Sequence, residues 1–123
     1  MAHPVIHFEI PANDPAKLKK FYSRLFGWSI EPMPGMSEYM MVKTAEEGEP
    51  GINGGMMKKQ MPQHTSTNYV AVESVVEYAE KAKKLGGQIV VPKTAVPKMG
   101  WFAVCLDPDG NPIGLWEMDP NAA

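Results

Sequence analysis

The first strand is predicted from the alternation of hydrophobic and polar residues at positions 5–10. Successive side chains of a strand point to opposite faces, so His7 and Glu9 share one face and Phe8 lies on the other. An amphipathic helix is predicted next, with Asp14 as its N-cap and Gly27 as its left-handed end. Its apolar stripe is expected to face the core and consists of Leu18, Phe21, Tyr22, Leu25 and Phe26.

The second half of the chain repeats this order of elements. Residues 68–73 predict a strand, Ser74 an N-cap, and residues 75–85 a helix that stops at Gly86 and Gly87. About three further strands follow the helix in each half. The polar segment 59–66 separates module 1 (about 1–58) from module 2 (about 67–119). Since one module is too small to cover its own sheet, the chain of residues 1–123 is expected to form a single domain with one core.

The closing hairpin is predicted from the sequence DPDGN at residues 107–111. Pro108 and Asp109 suit the central positions of a type I turn, and Gly110 suits the left-handed position that follows. An apolar run at residues 101–106 and a short strand at 113–117 flank the turn. These signals together indicate two antiparallel strands.

The composition of the chain limits which binding partners and which cellular location are expected for the protein. The net charge of −2 is too small to favour binding to nucleic acid or to a membrane surface. No apolar run approaches the roughly 20 residues that span a bilayer. The single cysteine, Cys105, lies in an apolar strand, which favours a buried thiol and a reducing, cytoplasmic setting.

Taken together, these motifs resemble the vicinal oxygen chelate superfamily, which includes glyoxalase I, bleomycin-resistance proteins, fosfomycin-resistance enzymes and extradiol dioxygenases. The resemblance rests on two βαβββ modules, a histidine in the first strand, Phe21-Tyr22 in the first helix and the DPDGN hairpin. It implies an α+β fold in which a mixed sheet curls around a cup that binds small molecules. It also implies a homodimer.

The resemblance further implies four strand positions that hold a divalent metal ion, and the sequence departs from that pattern. His7 matches the first position, whereas residues 52–57 offer no usual ligand at the second. Thr67 or Tyr69 stands at the third, and Gly114 replaces the carboxylate usual at the fourth. We therefore expect no metal cofactor. An unusual divalent metal site built from His7, Glu9, His64 and Glu117 remains the alternative.

The residues expected to line the cup are, by strand parity and resemblance, His7, Glu9, Tyr39, Met56, Thr67, Tyr69 and Trp116. Aromatic rings, methionines and a few polar groups are the usual composition of a small-molecule pocket. The same aromatic and methionine residues are also compatible with an ordinary core. His7 and Glu9 stand two residues apart on one strand, at about 7 Å, which is too far for a direct hydrogen bond.

Three functions remain open from the sequence. The first is a metal-free protein that binds a small aromatic or drug-like molecule. The second is a metal-dependent lyase or dioxygenase of the glyoxalase type with unusual ligands. The third is a metal-free lyase or isomerase with His7 as general base and catalytic residue. Whether the protein is an enzyme is left undecided by the sequence.

Overall fold

The structure is a computed structural model that describes residues 2–36, 38–62 and 64–123. Within those ranges it contains two helices, α1 (Pro15–Phe26) and α2 (Val75–Lys84). It also contains eight strands: β1 (Val5–Ala12), β2 (Ser29–Pro32), β3 (Tyr39–Lys43), β4 (Gly54–Lys58), β5 (Thr67–Ala71), β6 (Gln88–Val96), β7 (Gly100–Leu106) and β8 (Pro112–Met118). This is the α+β composition, with two βαβββ runs, that the sequence predicts. No described helix is long and apolar enough to cross a membrane.

The chain divides into two compact units, which are described separately. The first unit is His7–Ser66, and the second joins the residues up to Ile6 with Thr67–Ala123. Strand order in the first unit is β2-β3-β4-β1, with β1 and β4 parallel and the other neighbours antiparallel. The second unit has the matching order β6-β7-β8-β5, in which β5 and β8 are the parallel pair.

Helix α1 has the ends that its sequence predicts. The Asp14 carboxylate accepts a hydrogen bond from the Lys17 amide, Oδ1 to N 3.2 Å, and Pro15 occupies the first helical position. Gly27 ends the helix with φ of 73°, a conformation that favours glycine. Both N-cap and C-cap are therefore confirmed.

The core of the first unit lies between α1 and one face of its sheet. Ala12, Ile30, Val42 and Met56 are buried there. Leu18 and Tyr22 of the helix pack against them, as the apolar stripe predicts. The rest of the predicted stripe does not: Phe21, Leu25 and Phe26 are each more than half exposed. The expectation that the whole stripe faces the core is therefore wrong for these three residues.

In the second unit, α2 packs in the same way against β7 and β8. Ser74 caps the helix by accepting from the Glu77 amide, and Glu117 on β8 accepts from the amide of Val75 at 3.0 Å. The core consists of Val75, Ala79, Ala103, Cys105 and Leu115. Leu85, predicted as part of the helical stripe, lies at the C-cap and is exposed.

The closing hairpin forms as predicted between β7 and β8. Asp107 organises its turn, because one carboxylate oxygen accepts from the amides of Asp109 and Asn111, both at 2.9 Å. These hydrogen bonds, the one from Asn111 most of all, hold the pKa of Asp107 below its usual value. Gly110 takes a φ of 86° after the turn.

Candidate functional site

The sheet face of the first unit that points away from α1 carries the candidate site. Strand pairing fixes which residues share it, since Glu9 pairs with Gly55, Gly55 with Met41, and Tyr39 with Met57. We call this surface the helix-free face. Its central residues are His7, Glu9, Tyr39, Met41, Gly55 and Met57.

Three side chains on this face form a continuous hydrogen-bonded chain. The Tyr39 hydroxyl donates to Glu9, Oη to Oε2 2.9 Å, and lies 2.8 Å from Nε2 of His7. A hydroxyl has one proton, and here that proton goes to the carboxylate. His7 must therefore donate from Nε2 to the tyrosine oxygen. Tyr39 thus bridges two residues that are too far apart along β1 to bond directly.

The surroundings of His7 favour its neutral form. Burial lowers the pKa of His7 below its usual value of 6.5, and the nearby Glu9 charge only partly opposes this. The ring is then neutral near pH 7 and carries its one proton on Nε2, where Tyr39 accepts it. The histidine, tyrosine and glutamate are all half-buried, so each keeps some accessible surface.

Tyr39 can take this position only because residue 55 is glycine. A Cβ atom built on Gly55 would collide with the hydroxyl and ring carbons of Tyr39. The ring therefore fills the space that a side chain at position 55 would need, next to Glu9 on the neighbouring strand. Any ligating side chain at position 55 is incompatible with this placement of Tyr39.

Met56 requires a correction. The sequence predicts that it contacts a ligand, but it lies on the opposite face of β4, fully buried among the residues that pack against α1. The register of β4 places Met57 and Gly55 on the helix-free face instead. A one-residue difference in register exchanges the two faces of a strand, and the irregular segment before β4 gave no fixed starting point.

The equivalent face of the second unit is aromatic. Tyr69 pairs with Gly114 across the parallel strands, and a Cβ on Gly114 would collide with the Tyr69 ring. Phe102 packs edge-on against Tyr69, with ring centroids 6.4 Å apart. Trp116 shares this face and is half-buried. Tyr69 is only 6% exposed, so its ring is part of the packing of this face.

Thr67, the other residue predicted for a ligand in this unit, also lies on this face. It is 4% exposed and shares its strand parity with Tyr69. Five of the predicted residues thus fall into two local groups, His7 with Glu9 and Tyr39 in the first unit, and Thr67 with Tyr69 in the second.

The side chains at the four strand positions implied by the family resemblance do not form a ligand set for a divalent metal ion. Among residues 2–36, 38–62 and 64–123, no three His, Cys, Asp or Glu side chains are grouped closely enough to hold an ion. Gly55 and Gly114 supply no donor, and tyrosine rings fill the space above both. Of the unusual alternative ligands, His64 accepts from the Gln60 amide and Glu117 from the Val75 amide.

A shallow cavity adjoins Tyr39 within the first unit. Its volume is about 450 Å³, and it is open to solvent. Its lining is mainly apolar and comprises Pro15, Ala16, Lys19, Pro32, Glu38, Tyr39 and Met40. Sequence reasoning missed this cavity, because it forms where the start of α1 meets the ends of β2 and β3.

Comparisons with known proteins agree with this architecture. A family model described as "Glyoxalase/Bleomycin resistance protein/Dioxygenase superfamily" matches residues 5–115. A protein of Mycobacterium bovis and Mycobacterium tuberculosis, "Putative glyoxylase CFP32", is 31% identical over 120 residues, which cover 89% of this chain. The match spans only 43% of that relative, so the chain corresponds to less than half of its length.

Solved structures share the fold at low sequence identity. A Streptomyces coelicolor methylmalonyl-CoA epimerase has a TM-score of 0.69 and 12% identity, and the match covers 100% of this chain and 99% of the epimerase. A Vibrio splendidus member of the glyoxalase/bleomycin resistance protein/dioxygenase superfamily has a TM-score of 0.63 and 11% identity. That match covers 96% of this chain and 100% of the other.

Proposed function

Since the chain belongs to the Glyoxalase/Bleomycin resistance protein/Dioxygenase superfamily, we propose that it binds a small aromatic or drug-like molecule without a catalytic metal ion. The observation that carries this proposal is the half-buried hydrogen-bonded chain of His7, Tyr39 and Glu9. It provides oriented polar groups on an otherwise methionine-rich face, which is how small-molecule sites fix the orientation of a ligand.

A ligand screen tests the binding proposal. We expect aromatic and drug-like compounds to raise the melting temperature of the purified chain, and a Tyr39→Phe variant to respond more weakly. The phenylalanine ring keeps its position over Gly55 but provides no hydroxyl to bridge His7 and Glu9. Failure of every aromatic compound to stabilise the chain or to bind in calorimetry would contradict the proposal.

Elemental analysis tests the metal-free part of the proposal. Protein purified after growth with added nickel, zinc, manganese and iron is expected to hold far less than one metal ion per chain. One tightly bound ion per chain, lost together with ligand binding on chelation, would instead support a metal-dependent lyase or dioxygenase with unusual ligands.

A metal-free lyase or isomerase with His7 as general base is the second candidate. The lowered pKa of His7 favours it, because a base must be unprotonated at working pH. For any bound ligand with an acidic C–H group, we expect exchange of that proton with deuterated water, followed by NMR. His7→Ala should slow this exchange by about 100-fold or more. Exchange that is unchanged in that variant would eliminate the second candidate.

We also propose that the chain forms a homodimer, in line with the expectation from the sequence. Sedimentation velocity at micromolar concentration should give a mass of twice one chain. A single species at the mass of one chain would contradict this.

A further inference from the structure

The hydrogen-bonded groups at the centre of the helix-free face carry a negative formal charge. His7 is neutral near pH 7, the Tyr39 phenol is neutral, and the Glu9 carboxylate carries one negative charge. The three linked groups therefore total one negative charge. A divalent ion at the same place would have the opposite sign and would attract the oxygen atoms of a ligand.

Other charges on the helix-free face lie further into solvent. Glu31 is 70% exposed at its side chain and lies 3.9 Å from Lys19. Lys43 is half exposed and pairs with Glu46 at 2.9 Å. Exposed charges of this kind are screened by water and salt, so the half-buried Glu9 contributes most to the local field.

The apolar neighbours of Glu9 are suited to an aromatic ring. Met41 is 51% exposed on this face, and Met57 is half-buried beside Tyr39. Methionine side chains adapt to the shape of a ligand, and their sulfur atoms make favourable contacts with aromatic rings. A ring lying on these methionines would direct a substituent towards Glu9 and Tyr39.

We propose that the His7–Tyr39–Glu9 chain selects aromatic ligands that carry a positively charged or hydrogen-bond-donating group, and disfavours aromatic carboxylates. This inference rests on the proposed ligand-binding function and adds the chemical class of the ligand. An ammonium group donates to a carboxylate in a charge-assisted hydrogen bond, which is stronger than a neutral one. A ligand carboxylate in the same position would face Glu9 and be repelled.

Two probes of the same ring and opposite charge provide the test. Binding of 2-naphthylmethylammonium and 2-naphthoate to the full chain is measured by calorimetry at pH 7.5 and fixed ionic strength. We expect the ammonium probe to bind about tenfold more tightly, which corresponds to about 1.4 kcal/mol. Equal binding, or tighter binding of naphthoate, would overturn the charge preference while leaving the ligand-binding function standing. Binding of neither probe would count against both.

Two matched variants test whether Glu9 causes the preference for the ammonium probe. Glu9→Gln is expected to reduce the tenfold ratio to about twofold or less, since the isosteric amide still accepts from Tyr39. Glu31→Gln removes the same charge from strand β2 of the same sheet but should leave the ratio unchanged, because Glu31 is largely exposed and lies near Lys19 of α1. Circular dichroism is used to check that both variants are folded. A ratio that persists in Glu9→Gln, or that falls equally in both variants, would refute the assignment to Glu9.

Discussion

Replacing Gly55 with alanine is expected to disrupt the hydrogen-bonded chain from one strand away. The new Cβ would occupy space that the Tyr39 hydroxyl and ring now fill. Overpacking of this kind costs about 1–3 kcal/mol. Displacing the ring also removes one hydrogen bond to a neutral group and one to a carboxylate, together about 2–4 kcal/mol. The ring either stays in place and is overpacked, or moves and loses its hydrogen bonds, so only one of these costs applies in full. Alanine is also more favourable than glycine in a strand by about 0.5–1 kcal/mol. A net loss of about 1–3 kcal/mol in the free energy of unfolding follows.

A double-mutant cycle isolates the cause. Urea unfolding at 25 °C is followed by circular dichroism and tryptophan fluorescence for the parent chain, Gly55→Ala, Tyr39→Leu and the double variant. Coincidence of the two signals checks that unfolding is two-state. Without the tyrosine ring, alanine at position 55 should cost almost nothing, giving a coupling of about 2 kcal/mol. The steric argument fails if Gly55→Ala costs the same, within about 0.5 kcal/mol, in both backgrounds.

Four further predictions concern His7, Glu117 and Cys105. NMR titration should give His7 a pKa below 6.5. Glu9→Gln should lower that pKa further, because the glutamate charge raises it. A His7 pKa that rises in the variant would contradict this. Because His7 binds protons less readily when folded than when unfolded, its contribution to stability should be lost as pH falls from about 6.5 through the folded pKa, and a His7→Gln variant should lack this dependence in urea unfolding. Glu117→Ala should cost about 1 kcal/mol through loss of the hydrogen bond to the first turn of α2, while Glu117→Gln, which keeps an acceptor oxygen, should cost less in the same assay. Cys105 is fully buried with a raised pKa, so it should react with a thiol reagent only at the rate of unfolding, and rapid labelling of the native chain would show otherwise.

The elements that the sequence predicts best are those determined by local chemistry. Asp14, Ser74 and Gly27 act within one helical turn, and the DPDGN turn is closed by its own Asp107 side chain. Strand β6 is harder to predict. It runs from Gln88 to Val96 through Pro92, with register shifts along its pairing with β7. A proline is tolerated there because β6 has a neighbour on only one side within its unit, which the sequence does not reveal.

The candidate site was predicted only in part, because its geometry depends on pairing between strands. The face shared by His7 and Glu9 follows from strand parity, but the link between them is Tyr39, thirty residues further along the chain. The signal available was a glycine on β4 whose missing side chain leaves room for a large neighbour. Whether that neighbour is Tyr39 depends on a register that no local pattern specifies, and the same uncertainty produced the error at Met56.

The pairing of Tyr69 with Gly114 in the second unit has an evolutionary consequence. A carboxylate at position 114 cannot appear while the Tyr69 ring covers that backbone. Losing the buried ring first would open a cavity at a cost of about 3–5 kcal/mol, a large part of the stability of an ordinary domain. The two positions are therefore expected to change together among descendants of a common ancestor. Lineages with a carboxylate at position 114 should carry a smaller residue at position 69, and lineages that keep the tyrosine should keep the glycine.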